Sequence, residues 1–159
     1  MKYIFLDFDG VLNTEKHQEF LRFNNQNTFD NYGPIFDPSA VECLSLLVSS
    51  VPNSSIVIIS SWKFEGLDKM QNLWKDRSLP GNLAGISPNL VPESIEDLYA
   101  GKGREVRAWL TKNPCSGYVI LDDVPDFLPE QEKHYIEINP KVGLTPHIVK
   151  QAISILNNI

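Results

Sequence analysis

The amino-acid sequence predicts an α/β three-layer sandwich built on a parallel sheet. Short, near-continuous apolar and β-prone runs recur along the chain, the pattern of strands buried on both faces. Between them lie segments whose apolar residues fall at helical spacing, and this alternation is that of strands connected by helices. The ends of the runs carry acids and hydroxyls, which matters because ligands of an open parallel sheet bind outside the strand carboxyl ends.

The first run is Tyr3-Ile4-Phe5-Leu6, closed by Asp7-Phe8-Asp9-Gly10. Asp7 and Asp9 are two residues apart, so on an extended backbone both carboxylates face one side, and Gly10 lets the chain turn away. Two like charges about 4 Å apart repel by roughly 4 kcal/mol at an effective dielectric near 20, so the pair calls for a cation, a shared proton or both. Residues 13–36 carry five aromatics among Asn, Gln and Thr without periodicity. They read as a flap or loop insertion with a short helix, placed to cover the site. Asp37-Pro38 is an N-cap with proline at the first helical position, followed by Val41, Leu44, Leu47, Val48 and Val51 on one helix face.

Ser55-Ile56-Val57-Ile58-Ile59 is the second strand and delivers Ser60-Ser61-Trp62-Lys63 at its end. Leu67, Met70, Leu73 and Trp74 mark a helix stopped by Pro80-Gly81, with Met70 and Trp74 assigned to the core, and Leu83–Ile86 is a short third strand. Residues 87–101 read as a loop with one helical turn. Val106, Trp109 and Leu110 place a helix over 103–112, with Lys102 just ahead of it. Tyr118–Leu121 is the fourth strand, closed by Asp122-Asp123 with Asp126 three residues on. Tyr135–Ile138 is the last, and Thr145-Pro146 caps a final helix through Leu156.

A chain of 159 residues suits one domain with a sizeable core, so residues 1–159 are expected to form a single unit. No apolar stretch is long enough to span a membrane and no signal-peptide pattern precedes the first strand, so the expectation is a soluble, cytoplasmic protein without a membrane partner. Cys43 and Cys115 lack metal or redox spacing and read as reduced thiols. His17, His134 and His147 have no ligand partners at suitable spacing and read as structural or solvated. A net charge of −6 argues against a broad electrostatic footprint for nucleic acid, leaving only the local basic stretch Lys102–Arg107.

In order and spacing, Asp7-Phe8-Asp9-Gly10-Val11-Leu12, Ile59-Ser60, Lys102 and Leu121-Asp122-Asp123 resemble the four motifs of the haloacid dehalogenase-like (HAD) hydrolase superfamily. Ser60-Ser61-Trp62, Ile86-Ser87-Pro88 and the stretch Gly103–Leu110 are similar to small HAD domains of RNA-repair-type proteins. The resemblance implies a Rossmann-like sandwich of strand order 5-4-1-2-3 without a large cap domain, since neither residues 13–36 nor 64–101 have room for one.

It also implies a Mg²⁺-dependent phosphatase working through an aspartyl-phosphate. Asp7 would be the nucleophile, Asp9 the general acid and base, Ser60 a phosphoryl hydrogen-bond donor and Lys102 the neutralising cation. Mg²⁺ would meet the Asp7 carboxylate, the Asp9 carbonyl and a fourth-motif acid. Asp123 aligns best with the direct ligand, with Asp122 or Asp126 acting through water or hydrogen bonds. Lys63 is a rival to Lys102. The implied substrate is a phosphomonoester, either a small molecule or a polynucleotide end, and for the latter Trp62, Lys63 and Lys102–Arg107 are the expected contacts. The alternative is a metal-binding regulatory module of the same fold with little turnover, against which an intact Asp9 argues.

Overall fold

The structure, a computed structural model, describes residues 1–158. Five parallel strands, β1 (Lys2–Leu6), β2 (Ser54–Ile58), β3 (Leu83–Ile86), β4 (Gly117–Asp122) and β5 (Tyr135–Glu137), form one sheet in the order β3-β2-β1-β4-β5. This is the expected order read from the opposite edge. Six helices accompany them: α1 (Glu15–Phe23), α2 (Pro38–Ser50), α3 (Leu67–Asp76), the short α4 (Ile95–Leu98), α5 (Gly101–Lys112) and α6 (Pro146–Asn157). No large cap interrupts this order, and no helix among the described residues is long and apolar enough to cross a membrane.

The two-residue period of the strands divides the core. Ile4 and Leu6 of β1 join Ile56, Ile58, Val119 and Leu121 in one apolar cluster with α2, α3 and α6, while Tyr3 and Phe5 join Val57, Ile120 and Val106 of α5 in another. Handedness explains the division. The chain steps outward from β1 to β3 through α2 and α3, then returns across the sheet to β4, so right-handed crossovers put α5 on the opposite face. The reversal falls between β1 and β4, whose register pairs Leu6 with Leu121. That is where the two acidic strand ends meet.

Local signals act as the sequence suggests. Asp37 accepts the Ser39 amide at the start of α2, and Thr145 accepts that of Ile148 at the start of α6. Met70 and Trp74 are buried, Cys43 and Cys115 are free, and residues 87–101 carry only the single turn of α4. His134 packs against Tyr118 with ring centroids 3.9 Å apart and its Nδ1 lies 3.0 Å from the Tyr118 carbonyl, a structural role. One boundary differs. Lys102 lies inside the first turn of α5 rather than ahead of it, because the turn tolerates its two glycines where it packs on the segment after β4. A Cβ on Gly103 would come within 2.7 Å of the Leu128 amide nitrogen and the Gln131 side chain.

Candidate active site at the carboxyl ends of β1 and β4

Asp7 follows β1 directly and is only 4% exposed. Asp122 ends β4, fully buried, and Asp123 follows it half-buried. Carboxylate oxygens of these three lie within 4.8 Å of one another. Lys102 enters from the first turn of α5, with Nζ 2.7 Å from Asp122 Oδ2 and 3.4 Å from Asp7 Oδ2. Three acids thus face one ammonium. Burial first, then repulsion from Asp122, push the Asp7 carboxyl up to about 7 against the pull of Lys102. Burial likewise raises Asp122. For Lys102, burial disfavours the charge, yet the Asp7 and Asp122 carboxylates outweigh it and hold the ammonium above its ordinary value.

Gly10 makes this convergence possible. Its φ of +78° suits glycine, and an added Cβ would come within 2.4 Å of Asp123 Oδ2. Asp122 is held from both sides, since its Oδ1 accepts the Val124 amide at 2.9 Å while Oδ2 faces Lys102. Asp123 has its carboxylate against the Gly10 turn instead. Asp126 lies outside the trio, accepting the Lys102 amide at 3.2 Å and so fastening the start of α5.

Asp9 differs from Asp7 in exposure. The backbone stops being extended after Asp7, and the amides of Val11 and Leu12 turn back to the Phe8 carbonyl. Asp9 therefore stands on an exposed turn and shares a cleft with the half-buried Asp123. Its Oδ1 accepts from Asn13 Nδ2 at 2.7 Å and its Oδ2 from Trp62 Nε1 at 3.2 Å. A cleft of about 400 Å³ opens beside it, floored by Asp9, Gly10 and Asp123 and walled by Glu15, Gln18 and Arg22 of α1. The 13–36 insertion therefore borders the site, as expected of a flap.

Ser60 is fully buried at the end of β2, where its Oγ accepts the Trp62 amide at 3.3 Å and caps the 3₁₀ turn Ser61–Glu65. Lys63 is no rival to Lys102. It is 2% exposed, with Nζ donating to Ser87 Oγ at 2.8 Å, to the Ser87 and Pro88 carbonyls and to Glu105. Several side chains expected to contact a polynucleotide have partners within the protein. Lys63 is sealed, Arg104 pairs with Asp97 at 3.3 Å, Arg107 lies 3.4 Å from Glu130, and Trp62 packs edge-on to Phe8 with centroids 5.2 Å apart. Reading the sequence missed Asn13 and Trp62 as partners of Asp9. Asn13 stands three residues after Gly10, where an amide can close the turn, but nothing local marks an indole 53 positions away.

The profile of the HAD domain in Swiss Army Knife RNA repair proteins matches residues 3–149. The chain belongs to this family. Among solved structures, the HAD domain of effector protein Lem4 from Legionella pneumophila is similar, with 16% sequence identity, a TM-score of 0.55, and coverage of 99% of this chain and 96% of that one. At that identity the likeness bears on the fold. No curated protein matches the chain. HAD domains are associated with hydrolase and phosphatase-like function.

Proposed function

We propose that the protein is a Mg²⁺-dependent phosphomonoesterase working through an aspartyl-phosphate. The observation that carries this reading is the three-to-one excess of carboxylates over Lys102 at the sheet's reversal point. An all-oxygen donor set with unbalanced negative charge suits a hard divalent cation, and Asp7, Asp123 and Asp122 would hold it. When bound, the ion supplies Lewis-acid stabilisation of charge on the phosphoryl oxygens.

Each remaining step falls to this chain. The Asp7 carboxylate attacks phosphorus as the bond to the leaving oxygen breaks. Asp9, protonated, delivers its proton to that oxygen and afterwards accepts one from the water that hydrolyses the acyl phosphate. Lys102 holds positive charge beside the nucleophile before reaction begins, so no reorganisation is needed at the transition state. Ser60 donates to a phosphoryl oxygen through the hydroxyl proton it does not spend on its cap. We assign a phosphomonoester whose leaving group occupies the cleft along α1. The family description concerns RNA repair proteins, but Lys63 and Arg104 are paired with carboxylates and the net charge is −6, so an extended polynucleotide is disfavoured.

The test is phosphate release from p-nitrophenyl phosphate with Mg²⁺ and after exhaustive chelation, with mass spectrometry for phosphate on Asp7. The expected result is metal-dependent release and a modified Asp7 peptide. Full activity in chelator, or no release from any phosphate ester, would overturn the reading.

A further inference from the structure

We propose that Trp62 is a positioning residue that aims the Asp9 carboxyl at the leaving group, and that the 13–36 insertion holds the indole in place. The inference rests on the phosphomonoesterase reading. Asp9 stands on an exposed turn where nothing but its hydrogen bonds fixes the side chain. Two donors grip it: Asn13 at 2.7 Å, from within the same turn, and the Trp62 indole at 3.2 Å, from beyond β2. Only the second ties the acid to another part of the fold.

The partly buried indole is itself held by several neighbours. Phe8 meets it edge-on and Phe36 lies 5.5 Å away between centroids. The Arg77 guanidinium sits 5.6 Å over the Trp62 ring and 4.4 Å over Phe36. Gly33 packs so closely that a Cβ there would fall 3.0 Å from Trp62 Cη2. Arg77 also donates to both Asp30 oxygens, at 2.6 and 2.9 Å, and to the Gly33 carbonyl at 3.1 Å, which fastens the insertion to the end of α3. Insertion, guanidinium, indole and acid therefore form one continuous stack. A bond-breaking step that needs a proton at the leaving oxygen depends on such placement, because general acid catalysis fails when the donor strays beyond hydrogen-bond reach.

Proton delivery matters most when the leaving group is a poor one. Phosphoryl transfer from an alkyl phosphate forms the Asp7–phosphorus bond, breaks the phosphorus–oxygen bond and moves the Asp9 proton onto the departing oxygen, giving a neutral alcohol. Nitrophenolate departs without that help. Trp62→Phe keeps the ring packing and removes the indole N–H, and kcat/KM reports only steps up to the first irreversible one, so intermediate hydrolysis does not enter.

The experiment measures kcat/KM for p-nitrophenyl phosphate and for an alkyl phosphate, with Mg²⁺, in wild type, Trp62→Phe, Asp9→Asn and the double variant, after circular dichroism has verified folding. The expected result is a loss of about 30-fold on the alkyl ester, under about threefold on the nitrophenyl ester, and no further loss when Trp62→Phe is added to Asp9→Asn. An equal loss on both esters, a loss that persists in the Asp9→Asn background, or no loss at all would overturn the role of Trp62 while leaving the enzymatic reading intact. A wild type that hydrolyses neither ester would overturn that reading and this inference with it.

Discussion

Two lysines of this protein, Lys63 in the turn after β2 and Lys102 in the first turn of α5, have surroundings that differ in one respect that decides what each can do. Lys63 is sealed by Glu105, Ser87 and Pro88, one cation against one anion with its N–H donors all occupied. Burial lowers its ammonium from the ordinary value and Glu105 opposes the shift. Lys102 faces Asp7 and Asp122 with Asp123 close by, one cation against three anions beside an open cleft. A balanced, closed pair is a structural joint. An unbalanced cluster at a sheet's reversal point, with burial raising its acids, is where a ligand-binding role is best sought.

The sharpest way to break this comparison is at the nucleophile. Asp7→Asn should lower phosphatase activity below about 1% of wild type while the fold survives, because the amide keeps the shape and cannot attack phosphorus. Steady-state phosphate release with circular dichroism checks this, and a variant retaining more than a tenth of wild-type rate would remove Asp7 from the role.

Exchanging the lysines separates function from stability. Lys102→Met should cost at least about a hundredfold in kcat/KM by removing preorganised positive charge from the reacting groups. Lys63→Met should leave kcat/KM within about tenfold but destabilise by about 3–5 kcal/mol in urea, since Glu105 is then buried beside Ser87 without its partner. Similar effects of the two substitutions on both measurements would erase the distinction.

A smaller effect concerns pH. The native Asp7 carboxyl is pushed up to about 7 from its ordinary 3.8, so between those values the native state keeps a proton that the unfolded chain has lost. Metal-free protein should therefore lose stability as pH rises through this window. In chelator, Asp7→Asn should melt about 5 °C above wild type at pH 8 and converge with it near pH 4. A constant difference across pH would contradict the proton assignment.

Much of this was legible in the sequence, for reasons the two lysines make plain. Strands buried on both faces must be apolar throughout, so β1, β2 and β4 announce themselves, and the terminal acids of β1 and β4 and the Ser60 hydroxyl of β2 come with them. The different exposure of Asp7 and Asp9 was not legible, because it depends on the chain turning back to the Phe8 carbonyl right after the strand. Lys102 was set ahead of its helix because glycine on both sides reads as a loop, whereas Gly103 is required for close packing against Leu128 and Gln131. Lys63 and Trp62 were placed after β2, but their partners could not be read. Their partners, Glu105 and Asp9, lie 42 and 53 positions away and meet them only through the fold.

The central claim, that the β1–β4 acids are short of positive charge and take a hard cation, is tested most directly by thermal melting during Mg²⁺ titration. Wild type and Asp123→Asn are compared at pH 7.5 and fixed ionic strength. A ligand that binds only the native state stabilises it by about 2.7 kcal/mol at a hundredfold excess over Kd. Wild type should therefore gain about 5 °C or more and saturate, while Asp123→Asn gains little. No shift in wild type, or the same shift in both proteins, would contradict the account.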